Sequence, residues 1–376
     1  MELKSDFDTF LRDIRPTASM LADCQTGHTT LRERLNADKD LQPYLVSDFL
    51  QGSYRRSTAV RPLNGKRSDV DIIVVTKISE SKYSPKEAMK IFEPFLDRYY
   101  KDKWQTQGRS FGIELTDVDM DLVITSAPSE SEYGILTSDA VKTDEDIAIV
   151  QDWRLNPSWL SLQSRRLRFD AKVLLEVAKE QAEWKLNPLR IPDRDADIWE
   201  DTHPLEQICW TRDKNKNTDG HFVNVVKCVK WWWLKQFDEP LPPKGFPLER
   251  IVGDCCPDGI TSVAEGLVST LEAIISKYGF YITLNSKPQL PDYGVPGHDV
   301  LKRVTAEEFA EFYHHTKTAA SLARQAYDST DRKESGNLWR ELLGNKFPPP
   351  PDNGGSKNSG YTPPTGPAVP GSGRFA

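Results

Sequence analysis

The most constraining feature of the sequence is a short apolar run that carries two carboxylates at alternate positions. Residues 70–77, VDIIVVTK, are rich in β-branched side chains and predict a buried strand. Because side chains alternate between the faces of a strand, Asp69 and Asp71 share one face while the aliphatic residues point into a core. Adjacent carboxylates repel each other unless a cation lies between them, and hard divalent cations such as Mg²⁺ prefer oxygen ligands.

A second acidic strand follows at residues 118–126, VDMDLVITS. Its apolar side chains share one face, and Asp117, Asp119 and Asp121 share the other. If the two strands pair, a third carboxylate approaches the first two. Three carboxylates suit a site for two metal ions, one lowering the pKa of an attacking hydroxyl and the other holding a triphosphate.

A Gly-Ser turn, Gly52 and Ser53, precedes the first acidic strand. A glycine lets the backbone approach phosphate oxygens closely, and the serine hydroxyl can donate to them. Taken singly, a D-x-D pair is usually a solvated face and Gly-Ser is usually only a turn. Their order along the chain favours catalysis, and the sequence has neither a P-loop nor a Rossmann glycine run.

The remaining pattern divides the chain into three parts. Helical spacing dominates the first 50 residues, a small α/β unit spans residues 40–127, and mainly helical spacing returns from residue 203. The stretch between them predicts a helix and connecting segments. We predict a catalytic core with its N-terminal helix and linking segment, a helical lobe, and a disordered Pro/Gly-rich tail, at residues 1–200, 201–346 and 347–376.

Composition limits the class of substrate and the setting. The net charge of −7 favours small nucleotides over stable binding of long nucleic acid, which usually needs a basic face. No apolar run approaches the ~20 residues of a membrane span, and the N-terminus lacks the pattern of a signal peptide. The five cysteines form no C-x-x-C pair. These features predict a cytoplasmic protein without membrane association.

The motifs resemble a known family. GSYRRST, SDVDIIVV and MDLVITS are similar to the active-site signature of the polymerase-β nucleotidyltransferase superfamily, with RPLNGKRS looping out to absorb a slightly long gap. HPLEQICWTRDKNKNTDGHFVNVVKCVKWWW and KGFPLERIVG resemble the helical lobe of the bacterial CD-NTases of CBASS anti-phage systems, and the likeness is greatest to clade D. The resemblance implies an α+β fold, with a nucleotidyltransferase sheet packed on a helical domain and a cleft between them.

The resemblance also implies roles for individual residues. Asp69, Asp71 and Asp121 match the catalytic metal-binding carboxylates, and Asp119 is the alternative for the third place. One of the tryptophans 231–233 is expected in the core and another along the cleft. For Thr211 and Asn215, helix capping is the alternative role. The residues implied in nucleotide or phosphate binding are Gln51, Gly52, Ser53, Lys230, Lys227, Thr211 and Asn215.

The implied function is synthesis of a cyclic oligonucleotide second messenger from ATP and GTP, with cyclic AMP-AMP-GMP the expected product. The implied cofactor is Mg²⁺, as two ions, with Mn²⁺ able to substitute. A linear adenylyltransferase acting on RNA or protein, and a non-catalytic nucleotide-binding regulator, are the alternatives. Implied partners are a downstream effector that responds to the cyclic nucleotide and an E1/E2-like conjugating enzyme acting on the C-terminal Ala376.

Overall fold

The computed structural model describes residues 1–126 and 189–350, which form a sheet lobe and a helical lobe. The elements of the first part are α1 (Lys4–Ile14), α2 (Ala18–Ala37), β1 (Leu45–Gln51), α3 (Gly52–Arg55), β2 (Ser68–Thr76), α4 (Pro85–Lys90), α5 (Glu93–Tyr100), β3 (Trp104–Thr106), β4 (Phe111–Glu114) and β5 (Val118–Ile124). Those of the second part are β6 (Leu189–Asp193), β7 (Ile198–Thr202), α6 (Pro204–Asn217), α7 (Phe222–Leu234), α8 (Phe246–Cys255), α9 (Val263–Thr283), α10 (Ala306–Asp328) and α11 (Arg332–Leu343).

The central sheet has the strand order β1-β2-β5-β4-β3. β2 and β5 pair in parallel, whereas the other neighbours are antiparallel. The two acidic strands are therefore direct neighbours, as the metal-site prediction requires. β6 and β7 form a separate two-stranded sheet.

Alternation along β2 and β5 separates a core face from an acidic face. Val70, Ile72 and Val74 of β2 are buried together with the even-numbered apolar residues of β5 against α2, α4 and α5. The opposite face begins with the carboxylates and continues into a smaller apolar cluster that includes Ile73 and Val123. Burial of the apolar face stabilises the position of the two strands, and the opposite face can therefore carry charged side chains.

The helical lobe is built around α7, whose residues are buried on nearly every side. α8, α9, α10 and α11 pack around it in a single apolar cluster. Local signals start several of these helices: Ser262 caps α9, and Thr305 with Glu308 forms a capping box at α10. This α+β architecture is the one predicted from the sequence.

α1 belongs to the helical lobe, although the predicted boundaries placed it with the catalytic core. Its apolar stripe, which includes Phe7 and Phe10, is buried in the same cluster as α7 and α9. Phe347, the first residue of the predicted tail, is also fully buried there, with its ring 5.2 Å from that of Phe7. The helical lobe therefore extends past residue 346, because the buried ring of Phe347 belongs to its core. Residues 351–376, including Ala376, lie outside the described residues.

Four short strands were not predicted. β1 was assigned to the helical stretch, and β3 was not recognised. β6 and β7 lie where a helix and connecting segments were expected, and the rest of that segment is outside the described residues. Within residues 1–126 and 189–350, no helix combines the length and apolar character needed to cross a bilayer.

Candidate active site

Three carboxylates from two neighbouring strands converge on the acidic face of the sheet. In the parallel pairing of β2 and β5, Asp69 lies beside Asp119, and Asp71 lies beside Asp121. One carboxylate oxygen from each of Asp69, Asp71 and Asp121 lies within 4.8 Å of the other two. The structure therefore brings together the three residues that the sequence analysis selected as metal ligands.

Asp119, the alternative third ligand, is engaged by an arginine. Arg67 Nε donates to Asp119 Oδ1 at 2.6 Å, and Arg67 Nη2 donates to Glu114 Oε2 at 3.1 Å. Asp119 is thus paired with Arg67, which it shares with Glu114, and it lies outside the cluster of three carboxylates. This contact favours Asp121 over Asp119 as the third ligand.

The three converging carboxylates are costly to ionise together. Desolvation by the surrounding protein raises the pKa of Asp69 to about 8, and the charges of Asp71 and Asp121 add to the effect. Desolvation and the charges of Asp71 and Asp119 raise the pKa of Asp121 to about 6. Burial raises the pKa of Asp71 as well, although the positive charge of Arg56 opposes it. A hard divalent cation would relieve this repulsion, so the donor set fits Mg²⁺ or Mn²⁺.

The Gly-Ser turn is packed directly onto one of these carboxylates. Gly52 has a φ of +74°, and a Cβ placed on it would lie 1.7 Å from Asp71 Oδ2. Gln51, the last residue of β1, is paired with Asp71 across the sheet. The Ser53 carbonyl accepts a hydrogen bond from the Thr58 N–H at 2.9 Å, which closes the loop behind the turn. Only glycine fits at position 52, and the turn is fixed against the acidic face.

Gln107 fixes Asp121 in place and was not selected from the sequence. Its side chain hydrogen-bonds to Asp121 and offsets part of the rise that burial and the neighbouring carboxylates cause in the pKa of that carboxyl. The Gln107 Oε1 accepts a hydrogen bond from Ser110 Oγ at 3.0 Å, which orients the amide. Gly112 leaves room for it, because a Cβ there would lie 2.4 Å from Gln107 Nε2. Such a hydrogen bond to a ligand's carboxylate typically tunes metal affinity.

Lys230 lies where the two lobes meet. We call this contact, made by Arg56, Thr58, Lys230 and Glu249, the seam. From α7, its Nζ donates to Glu249 Oε1 at 2.7 Å and to the Thr58 carbonyl at 3.2 Å. Thr58 follows the Gly-Ser turn, and the charge of Lys230 opposes the rise that burial causes in the pKa of Asp71. The lysine is therefore close to the acidic face, although its contact with a phosphate stays a prediction.

Lys227 is buried one turn earlier on α7. It lines a small pocket together with Arg15, Tyr54 and Ser57. The pocket lies behind the loop that follows the Gly-Ser turn. The predicted phosphate contact of Lys227 stays a prediction.

Thr211 and Asn215 both make hydrogen bonds to the backbone of the helical lobe. The Thr211 hydroxyl donates to the Gln207 carbonyl at 2.8 Å within α6. Asn215 Oδ1 accepts from the Val223 N–H at 3.1 Å, which satisfies a donor at the start of α7. The contact of Asn215 is a helix cap, whereas that of Thr211 lies within α6 and caps no helix end. Nucleotide binding by these residues stays a prediction.

The three tryptophans of α7 all lie in the helical core. Trp231 Nε1 donates to the Leu343 carbonyl at 3.1 Å, and Trp233 Nε1 donates to the Leu241 carbonyl at 2.9 Å. Trp232 is 4% exposed and packs near Phe312. The expectation that one of them lines the cleft is wrong, because α7 is enclosed by its neighbouring helices.

The chain is similar to known proteins along its whole length. Residues 1–135 match the Second Messenger Oligonucleotide or Dinucleotide Synthetase domain. The "Probable cyclic AMP-AMP-GMP nucleotide synthase" of Salmonella paratyphi B is 48% identical over 383 residues, with full coverage of both chains. The "Cyclic AMP-AMP-GMP synthase" of Enterobacter hormaechei subsp. hoffmannii (strain UCI 50) is 47% identical over 384 residues, again with full coverage of both.

A solved structure shares the fold at low sequence identity. CdnC from E. coli MS115-1, in its complex with HORMA-deltaN, superposes with a TM-score of 0.61 at 15% identity. The similarity covers 92% of this chain and 99% of that one. The arrangement of a sheet lobe on a helical lobe is therefore common to both proteins.

Proposed function

The chain belongs to the bacterial CD-NTases, a family of nucleotidyltransferases that make cyclic oligonucleotides, and on that basis we propose that it converts ATP and GTP into cyclic AMP-AMP-GMP. The observation that carries the proposal is the convergence of Asp69, Asp71 and Asp121 beside the Gly52 turn. The product is inferred from relatives 48% and 47% identical over their full length. Membership of clade D stays a prediction.

Asp69, Asp71 and Asp121 would hold two Mg²⁺ ions, and Mn²⁺ would substitute because it accepts the same oxygen ligands. When bound, such ions lower the pKa of a ribose hydroxyl and neutralise triphosphate charge. The chain's own contribution is to hold three carboxylates close together. Gln107 orients Asp121 for this purpose, and the close approach of Gly52 fixes Asp71.

The donor nucleotide would be positioned by the Gly-Ser turn and the seam. The Ser53 hydroxyl and nearby backbone N–H groups can donate to phosphate oxygens, and Lys230 adds a positive charge from the helical lobe. Gln51 would help to shape this edge as the residue before the turn. The oxygen of an acceptor ribose hydroxyl attacks the α-phosphorus, the bond to pyrophosphate breaks, and the hydroxyl proton is released. Repetition followed by an intramolecular attack closes the ring.

Mass spectrometry of the reaction products tests this proposal. The purified full-length chain is incubated with Mg²⁺ and ATP alone, GTP alone, or both, and the products are then treated with phosphatase. We expect a phosphatase-resistant species with the mass of cyclic AMP-AMP-GMP only when both nucleotides are present. The Asp69→Asn variant serves as the matched control, since it removes one ligand charge at nearly constant size.

The other outcomes discriminate between the alternatives. A linear product that loses its terminal phosphates would identify a linear nucleotidyltransferase. Tight nucleotide binding without any turnover would identify a regulator. A cyclic product containing only adenine would keep the enzyme class and overturn the assigned base composition.

The proposed partners rest on the family resemblance. A cyclic product implies an effector that recognises it, and conjugation would require Ala376, which lies outside the described residues. Deleting Ala376 in cells that carry the complete operon should abolish conjugates of the chain, and unchanged conjugates would contradict conjugation at that residue. The cytoplasmic location also stays a prediction.

A further inference from the structure

A single buried carboxylate connects the helical lobe to the loop behind the active site. Glu249 of α8 is 5% exposed. Its Oε1 accepts from Lys230 Nζ at 2.7 Å and from Thr58 Oγ1 at 2.9 Å, while its Oε2 accepts from Arg56 Nε at 3.0 Å. The Glu249 carboxylate therefore binds two cations and a hydroxyl. Lys230 comes from the helical lobe, and Arg56 and Thr58 come from the loop after the Gly-Ser turn.

This buried cluster is electrostatically coupled to Asp71. Burial raises the pKa of Asp71, the charges of Arg56 and Lys230 oppose that rise, and the charge of Glu249 adds to it. Arg56 is also joined to the Gly-Ser turn, because its N–H donates to the Gly52 carbonyl at 3.0 Å. A substitution of Glu249 would therefore change the electrostatic environment of Asp71, and it could also displace the short α3 helix that carries Gly52.

The charges of the four groups balance. Arg56 and Lys230 carry two positive charges, and Glu249 and Asp71 carry two negative charges. Burial alone would raise the pKa of Glu249, but the two cations hold it at about 2, so the carboxylate stays ionised. Without Glu249, the seam would present one uncompensated positive charge to the acidic face. That charge would repel a divalent cation and attract a triphosphate.

We propose that Glu249 is a positioning residue that holds Arg56 and Lys230 beside the active site while cancelling part of their charge. It thereby sets the balance between binding of the divalent cation at Asp69, Asp71 and Asp121 and binding of the triphosphate near Lys230. Glu249 itself touches neither ligand. This inference rests on the proposed function, because it assigns the acidic face to a metal and the seam to a nucleotide.

Two ligand titrations on the full-length chain test the proposal without measuring turnover. Mn²⁺ binding is followed by electron paramagnetic resonance, and binding of metal-free ATP in EDTA by calorimetry. For Glu249→Gln we expect Mn²⁺ to bind about tenfold more weakly and metal-free ATP to bind severalfold more tightly. Damage to packing would weaken both, so opposite changes identify the charge effect.

A second substitution keeps the test decisive if Glu249→Gln fails to fold. Arg56→Met removes one of the two cations at similar length, and it should tighten Mn²⁺ binding and weaken ATP binding, each severalfold. The double variant should return both affinities to near the wild-type values. If Arg56→Met weakens both ligands, or if Glu249→Gln leaves Mn²⁺ affinity unchanged, the assignment of Glu249 is wrong.

Two controls separate this inference from the proposed function. Glu272→Gln removes a carboxylate that Arg324 binds on the outer side of the helical lobe, at 2.7 Å, and it should leave both affinities unchanged. Failure of the wild-type chain to bind Mn²⁺ would overturn the proposed function. Normal wild-type binding with the wrong pattern among the variants would overturn only the role of Glu249.

Discussion

Gly52 and Asp71 approach so closely that no side chain fits between them. A Cβ on Gly52 would lie 1.7 Å from Asp71 Oδ2, and its φ of +74° is itself unfavourable for other residues. The position of the Gly-Ser turn and that of the Asp71 carboxylate therefore depend on each other through this contact. This relationship explains why the Gly-Ser turn and the first acidic strand occur together in the sequence.

Replacing Gly52 by alanine should displace either the turn or Asp71. We expect nucleotide joining to fall by about a hundredfold or more, because a displacement of the order of 1 Å at reacting groups has effects of this size. Gly65→Ala is the matched control: its φ is +72° but nothing lies within 4 Å of the added Cβ. That variant should lose about 1 kcal/mol of folding stability and keep its activity. Equal activity losses in the two variants would contradict the special role of position 52.

Asp121 and Asp119 should respond very differently to removal of their charge. Asp121→Asn should reduce activity by about a thousandfold, as expected for loss of a group that stabilises transition-state charge. Asp119→Asn should change it only severalfold, since that carboxylate is paired with Arg67 and lies outside the cluster of three. Turnover at saturating Mg²⁺ measures both. A reversed order would show that Asp119 is the ligand.

The stability of the metal-free chain should fall as the pH rises through the pKa values of the carboxylates. Asp69 has a pKa of about 8 and Asp121 a pKa of about 6 in the folded chain, both above their ordinary value of 3.8. The folded state therefore binds protons that the unfolded state has released, so this contribution is complete below about pH 4 and lost by about pH 8. Asp69→Asn should be more stable than wild type at pH 8 without metal.

The same linkage predicts how Mg²⁺ stabilises the fold. The increase in Tm caused by Mg²⁺ should grow between pH 6 and pH 8, because bound metal replaces protons at the carboxylates. Thermal unfolding with and without Mg²⁺ measures this difference, and Asp69→Asn should largely remove it. A pH-independent increase would contradict binding at these groups.

Gln107 should affect metal affinity through Asp121. Gln107→Ala should raise the Mg²⁺ concentration needed for half-maximal activity by about tenfold, the usual size of effect for a residue that orients a metal ligand. Gln105→Ala removes a neighbouring amide whose Nε2 donates to Glu114, at 3.3 Å, on the exposed hairpin. It should behave like wild type. Matching shifts in the two variants would show that the hairpin as a whole, rather than Gln107, is responsible.

The sequence predicted the features that follow from local geometry. Alternation placed Asp69 and Asp71 on one face because the two-residue period of a strand is independent of its neighbours. The pairing of Asp71 with Asp121 needed the register of β2 and β5. The choice of Asp121 over Asp119 came from the family resemblance, and its physical reason, the contact of Asp119 with Arg67, needed the structure. These depend on tertiary structure, which local patterns do not specify.

The residues missed by the sequence analysis act through long-range contacts. Glu249 lies 193 positions from Arg56, and nothing local distinguishes it from a solvated helix glutamate. Gln107 lies in the turn between β3 and β4, and its position in the sequence is typical of a loop residue. β1 was missed because Ser47 and Asp48 interrupt its apolar pattern, and Asp48 is compensated by a salt bridge to Arg32 on α2.

Anomalous diffraction from crystals of the full-length chain soaked in Mn²⁺ tests the central claim most directly, because it locates the ion without reference to activity. We predict a peak in contact with carboxylate oxygens of Asp69, Asp71 and Asp121, and its loss in Asp71→Asn crystals. No peak on the acidic face, or a peak held by Asp119 and Glu114 instead, would contradict the account.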